Sequence, residues 1–258
     1  MNRRNFLGGA VASGLATGPA AGKQTANQYM ELCFYQLRND SRNQRRRLTA
    51  FLKDAHLPMT RRLGIGPVGY FEVYLGPETP RVVTVAAYDS LGDLQAKQAA
   101  QRSDKEWMRA SEAVSESGEA VFQRVETWLL RAFDGMPKLA APPLEKGKPP
   151  RFFDLRTYES ASFSDRRRKI DMFNSGEIEI FRRCGLHPVF FGETLFGGKI
   201  PNITYMVWYD DWDAREAAWA KFRQDPEWKR ISKDPRWAGA VCNITNTFLQ
   251  PLAFSPIR

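Results

Sequence analysis

The chain has 258 residues, 43% hydrophobic and 26% charged, with a formal net charge of +9. That is enough for one large domain or two small ones with a buried core, and too apolar for a disordered polyelectrolyte. No apolar run reaches the roughly 18 residues that span a bilayer, three cysteines and two histidines offer little to a zinc site or a disulfide scaffold, and GxGxxG, P-loop, HExxH and GxSxG motifs are absent, so neither membrane integration, a metal nor a cofactor is expected.

The first segment, Asn2-Arg3-Arg4-Asn5-Phe6-Leu7 followed by the Gly/Ala/Ser stretch Gly8–Ala16, resembles a twin-arginine export signal of a bacterial protein. Cleavage is expected among Ala20, Ala21 and Gly22, so residues 1–22 are read as a leader and the mature chain as periplasmic. Cys33, Cys184 and Cys242 have spacings that match no known cluster, and buried free thiols are favoured over a disulfide.

A first unit is expected over 28–134. Tyr29–Leu37 is nearly all apolar or aromatic and reads as a buried strand. Asp40/Ser41 can cap a helix that Gly64 stops near Leu63. Val68–Leu75 and Arg81–Tyr88 read as strands joined across Gly76-Pro77. Helical material follows from Asp89/Ser90 to about Val114, then a strand from Ala120 to Phe133. Residues 135–150, with Pro137, Pro142, Pro143, Pro149 and Pro150, form an extended linker. A second unit over 151–258 has the same order: strand Phe152–Tyr158, helix Ser164–Cys184, strands Val189–Phe196 and Ile203–Tyr209, helix Trp212–Ser232, strand Val241–Leu252.

The two units are copies of one another. Arg45-Arg46-Arg47 returns as Arg166-Arg167-Arg168, and Arg61-Arg62-x-Gly64-x-x-Pro67-Val68 as Arg182-Arg183-x-Gly185-x-x-Pro188-Val189. Glu72, Gly76 and Tyr88-Asp89 recur as Glu193, Gly197 and Tyr209-Asp210. Arg102-x-Asp104-x-Glu106-Trp107-x-Arg109 recurs as Arg223-x-Asp225-x-Glu227-Trp228-x-Arg230. Upstream, Leu37-Arg38 matches Leu155-Arg156 after a three-residue shift. The order β-α-β-β-α-β is that of a ferredoxin-like split βαβ unit in the α+β class. Such a sheet carries helices on one face only, and its other face must be covered. Two in one chain can cover each other, sheet to sheet, as an intrachain pseudo-dimer.

The stretches Phe153–Tyr158, Phe181–Val189, Tyr205–Asp210 and Arg215–Trp228 resemble the signature of the NIPSNAP family. The first unit is similar but degraded: Asp104-Lys105-Glu106-Trp107 replaces Asp-Pro-Glu-Trp, and Gln98 stands at the place of Trp219. The resemblance, over roughly 29–254, implies the dimeric α/β-barrel superfamily. That superfamily includes cofactor-free monooxygenases, haem-degrading enzymes and dehydratases, and the fold alone does not choose among them.

Candidate residues follow from the repeats. Asp225-Pro226-Glu227-Trp228 suits a helix start, with Asp capping, Pro at the first position and Trp packing inward; Trp107 and Trp228 could equally wall a ligand pocket. Arg38 with Glu72 and Arg156 with Glu193 could pair within each half or, unpaired, take a carboxylate or phenolate. Tyr158, Tyr209 and Trp219 complete the pocket candidates. His56 aligns with Glu177 and His187 with Gly66, so no histidine is shared by both halves; neither lies in a recognisable haem motif, and His187 before Pro188 suits a positioning role. Three consecutive arginines cannot share one helix face, so the arginine runs are expected to be solvated. No aromatic platform is interleaved with them, and nucleic-acid binding is not expected.

The function expected from these residues is binding of a small hydrophobic or anionic molecule between sheet and helices, in the better preserved second half. One alternative is a cofactor-independent, monooxygenase-like or haem-related enzyme in which Arg156 or His187 stabilises negative charge. Another is an interaction module without a ligand. Further self-association of the pseudo-dimer is left open.

Overall fold

The computed structural model describes residues 26–39, 42–116, 120–145 and 147–258. The expected leader and the Asp40/Ser41 cap lie outside the described residues. The first half contains β1 (Tyr29–Gln36), α1 (Arg42–Phe51), a π-helical turn (Leu52–His56), α2 (Leu57–Arg62), β2 (Val68–Leu75), β3 (Arg81–Tyr88), α3 (Leu91–Ser103), α4 (Lys105–Glu116) and β4 (Arg124–Ala132). The second contains β5 (Phe152–Glu159), α5 (Phe163–Met172), a π-helical turn (Phe173–Glu177), α6 (Ile178–Cys184), β6 (His187–Phe196), β7 (Asn202–Tyr209), α7 (Trp212–Gln224), α8 (Pro226–Ile231), a 3-10 turn (Pro235–Trp237) and β8 (Asn243–Pro251).

Local chemistry explains the boundaries. Ser90 and Asp211 cap α3 and α7 by accepting from the amides of Asp93 and Ala214. Asp225 accepts from the amides of Glu227 and Trp228 while Pro226 opens α8. Gly64 and Gly185 end the first helical segment of each half at φ +61° and +87°, where a side chain is strained.

Each half is a four-stranded antiparallel sheet, and the two sheets join edge to edge as well as covering each other's faces. β2 pairs with β8 and β4 with β6, so all eight strands close into one barrel in the order β1-β3-β2-β8-β5-β7-β6-β4. Closure leaves no sheet edge open. The two-residue period of the strands decides what fills it. In β1, Met30, Leu32 and Phe34 point into the barrel, and Glu31, Cys33 and Tyr35 point toward the helices. The barrel core draws on both halves, with the Phe71 and Phe153 rings 4.9 Å apart across it. Leu139 of the linker and Ile257 near the C-terminus are buried in the same core. Among the described residues, no helix is long and apolar enough to cross a membrane.

Candidate functional site

With the barrel packed solid, the space that differs between the halves lies between each sheet and its helices. Strand register fixes which residues correspond. Cys33 of β1 stands opposite Thr84 of β3 and Thr127 of β4. Arg156 of β5 stands opposite Tyr205 of β7 and Asn246 of β8. From above, α3 and α7 contribute Gln98 and Trp219, α4 and α8 contribute Trp107 and Trp228, and the π-helical turns contribute His56 and Glu177.

In the second half this position is filled. Arg156 donates from Nε to the Tyr205 hydroxyl at 2.9 Å, from Nη1 to Asp154 at 3.1 Å and from Nη2 to the Tyr158 hydroxyl at 3.3 Å. Its guanidinium lies 4.6 Å from the centre of the Trp219 ring, a cation–π contact. Arg215 approaches the same Asp154 oxygen at 3.5 Å. Burial raises the Asp154 pKa against the lowering influence of the two arginines. Tyr209 is buried beside this group, its hydroxyl pKa pushed up first by burial and then by the Asp154 charge. Farther out, a cavity of about 370 Å³ remains between Tyr158, Lys169, Trp219 and Trp228. A buried ion pair, Lys169 to Glu177 at 2.7 Å, forms part of its wall.

In the first half the same position is hollow. Cys33, Thr84 and Gln98 are each smaller than Arg156, Tyr205 and Trp219, and a chamber of about 170 Å³ takes up the space. Cys33, Tyr35 and Trp107 line both this chamber and a groove of about 690 Å³ that runs along α4, walled by Phe51, Val114 and Phe122. The polar groups of the chamber are sharply placed. Tyr88 donates to Glu31 at 3.1 Å, and His56 Nδ1 lies 2.7 Å from the Tyr70 hydroxyl. Burial raises the Glu31 pKa, more than the Tyr88 hydrogen bond lowers it. Burial and then the Glu31 charge push the Cys33 thiol up to about 11. His56 is pulled down to about 4 by burial, so it is a neutral imidazole at neutral pH. An apolar cleft with two proton acceptors, Glu31 and His56, in its lining can orient a small molecule and accept a hydrogen bond or a proton from it.

The expected residues fall into three groups. Arg156, Tyr158, Tyr209, Trp219 and Trp228 come together in the second half, and Trp107 lines the first-half cleft. Four others lie elsewhere. His187 is exposed and stacks on Trp208, ring centres 4.2 Å apart. Glu72 and Glu193 do not pair with Arg38 and Arg156; they form ion pairs with Arg45 and Arg166, the first arginine of each run. Those two arginines therefore tie helix to sheet, while Arg46 and Arg167 are exposed as expected of a mostly solvated run. Arg38 is exposed and lies beyond the end of β1. The counterpart of Arg156 in pairing register is Cys33, because Tyr29 of β1 and Phe152 of β5 occupy the same place opposite Tyr88 and Tyr209. The Leu37-Arg38 match is thus a coincidence of letters. Of the cysteines, Cys184 is buried, Cys33 half-buried and Cys242 exposed, all as free thiols.

Glu31, Cys33 and Thr84 are chamber residues that the repeat comparison passes over, and His56, which it aligns with Glu177, is given no place in a site there. A signal for Glu31 exists, since it is a lone carboxylate in a strand of apolar and aromatic residues.

The model of the NIPSNAP family matches the chain twice, over residues 30–133 and 153–256. No curated protein matches it. Among solved structures, a protein of Fusobacterium nucleatum provisionally designated a monooxygenase aligns with a TM-score of 0.55 at 9% identity, over 88% of this chain and 93% of that one. A protein of Lactobacillus acidophilus with the same provisional designation aligns with a TM-score of 0.57 at 10% identity, over 87% and 94%. An anthrone oxidase-like protein aligns with a TM-score of 0.51 at 10% identity, over 89% and 93%. At such identities the likeness is one of fold.

Proposed function

Given that the chain belongs to the NIPSNAP family and carries two of its domains, we propose that it binds a small, largely apolar molecule in the cleft of its first half, while the second half serves mainly to complete the barrel. One observation carries this reading: the chamber and groove that open where Cys33, Thr84 and Gln98 replace Arg156, Tyr205 and Trp219. The degraded motif of the first half then marks the working half, the reverse of the expectation from motif preservation. Titration with the neutral apolar dye N-phenyl-1-naphthylamine, read by its fluorescence, tests it. Refilling the chamber with Thr84→Tyr or Gln98→Trp should weaken dye binding at least about tenfold. Unchanged binding in both variants contradicts the reading.

Glu31 and His56 favour a second reading, cofactor-independent oxygenation, in the manner the designations of the fold's neighbours suggest. One of the two acceptors would remove a proton from a CH2 group activated by a neighbouring carbonyl; the carbanion would be oxidised by dioxygen to a hydroperoxide that takes that proton back and loses water, leaving a new carbonyl. Oxygen uptake in the presence of an anthrone, lost in Glu31→Gln or in His56→Gln according to which is the base, is the expected result; no uptake by the unmodified protein contradicts it.

We further propose export by the twin-arginine route to the periplasm, supported by Arg3-Arg4, Phe6-Leu7 and the small-residue stretch behind them. Exchanging both arginines for lysine should leave the full-length chain in the cytoplasm, and processing of that variant to the mature length contradicts the proposal.

A further inference from the structure

The first-half chamber has a charge character opposite to that of the molecule as a whole. The chain is basic, with a formal net charge of +9. Yet neither the chamber nor the groove has a lysine or an arginine among its described lining residues. The acid among them is Glu31, half-buried on β1. Tyr88 donates to it, and Tyr35, Tyr70 and Trp107 line the same chamber of about 170 Å³. The cations nearest to this wall are engaged or outside. Lys97, 5.9 Å from the centre of the Tyr88 ring, is paired with Asp93 at 2.9 Å, and Arg61 is exposed. The second half differs in holding two cations, Arg156 and Lys169, each paired with a buried carboxylate.

Aromatic rings attract a cation through their negative faces, and a partly buried carboxylate attracts it more strongly. An anion would meet Glu31 with no compensating donor of positive charge, and would lose its hydration as it entered. The protein's net positive charge acts from a distance and is screened over about 8 Å at physiological ionic strength, so the groups lining the chamber decide the preference. A cavity of about 150 Å³ takes a benzene ring, so the chamber of about 170 Å³ has room for an ammonium group and the carbons attached to it. The wider groove, walled by Phe51, Val114 and Phe122, accommodates a larger apolar body.

We propose that the first-half cleft selects an organic amine, its ammonium group held in the chamber by Glu31 among the aromatic rings and its apolar or aromatic body in the groove. This rests on the reading of the first half as the ligand-binding half, and it replaces the anion expected from the arginines with a cation. The pKa of Glu31, raised by burial when the chamber is empty, falls when an ammonium lies against it, so amine binding is accompanied by release of a proton wherever the empty site holds one.

Calorimetric titration of the whole chain with three probes of one shape tests the proposal: 2-phenylethylamine, 2-phenylethanol and phenylacetate. The expected order is amine, then alcohol, then acid, with the amine about tenfold tighter than the alcohol. In Glu31→Gln the amine should fall to the level of the alcohol, while alcohol binding stays within about twofold. Alcohol bound as tightly as amine by the unmodified chain overturns the proposal but leaves the cleft as a binding site, and so does an amine preference that survives in Glu31→Gln. Failure of all three probes overturns the binding reading itself. The order measured on the unmodified chain decides the matter even if the variant does not fold.

Discussion

Three pairs of residues carry the difference between the halves: Cys33 for Arg156, Thr84 for Tyr205, and Gln98 for Trp219. In the second half Arg156 is a structural cation, since Asp154 beneath it is fully buried and depends on it and on Arg215. Arg156→Leu should therefore destabilise the fold by about 3–5 kcal/mol, because it leaves a buried carboxylate short of a partner. Joint replacement with Asp154→Asn should recover part of that loss, and denaturant unfolding of the single and double variants measures both. His56 makes a pH-dependent contribution. Its folded pKa of about 4 lies below the ordinary histidine value near 6.5, so the unfolded chain binds the proton more readily. The stability His56 contributes is complete above about pH 6.5 and is lost as the pH falls toward 4, of the order of 3 kcal/mol in all. Glu31, raised by burial, works with the opposite sign, so the comparison of wild type with His56→Gln isolates the histidine. An NMR titration should find His56 still neutral at pH 5.5; a midpoint near 6.5 contradicts its burial. At this scale the sequence was only partly legible. The Trp107 and Trp228 pair and the cap at Asp225 follow from the repeats and from local chemistry. The role of Cys33 does not, because it rests on strand register, and a chance Leu-Arg match points to Arg38 instead.

At the scale of elements, the repeated glycine that follows the second strand of each half has a shared purpose. A Cβ on Gly76 would approach Thr247 of β8 to 3.1 Å, and one on Gly197 would meet the Trp128 ring of β4 at 2.5 Å. Both glycines thus sit at the seams where one half joins the other. Gly197 also has φ +140°, a conformation that L side chains avoid. Gly197→Ala should cost more than about 1 kcal/mol, through backbone strain and displacement of Trp128; thermal unfolding measures it, and a neutral effect contradicts this account of the seam. Strand and helix existence was readable from period and caps, since apolar alternation and Ser, Asp and Gly signals act locally. The π-helical turns were not, having no local signature of that kind, yet they put His56 and Glu177 on the sheet-facing side, and such turns recur at functional sites.

The molecule as a whole joins two homologous halves with different contents around one core. Because Phe71 and Phe153 meet inside the barrel and the linker's Leu139 is buried with them, the halves should unfold together in a single transition. A double-mutant cycle of Phe71→Ala and Phe153→Ala should be non-additive by about 0.5–3 kcal/mol, whereas separate transitions or strict additivity would mean independent halves. That two such sheets cover one another is legible in their apolar strands. Which half is hollow at the position of Cys33 and Arg156 is a matter of side-chain volume at positions that only the folded register brings together. The measurement that tests this division of labour most directly is a crystal soaked with 4-bromophenethylamine, with the bromine located by its anomalous signal. The predicted result is a peak in the first-half groove, among Phe51, Val114 and Phe122, with the ammonium end of the molecule toward Glu31. A peak only between Trp219 and Trp228 of the second half would contradict the account.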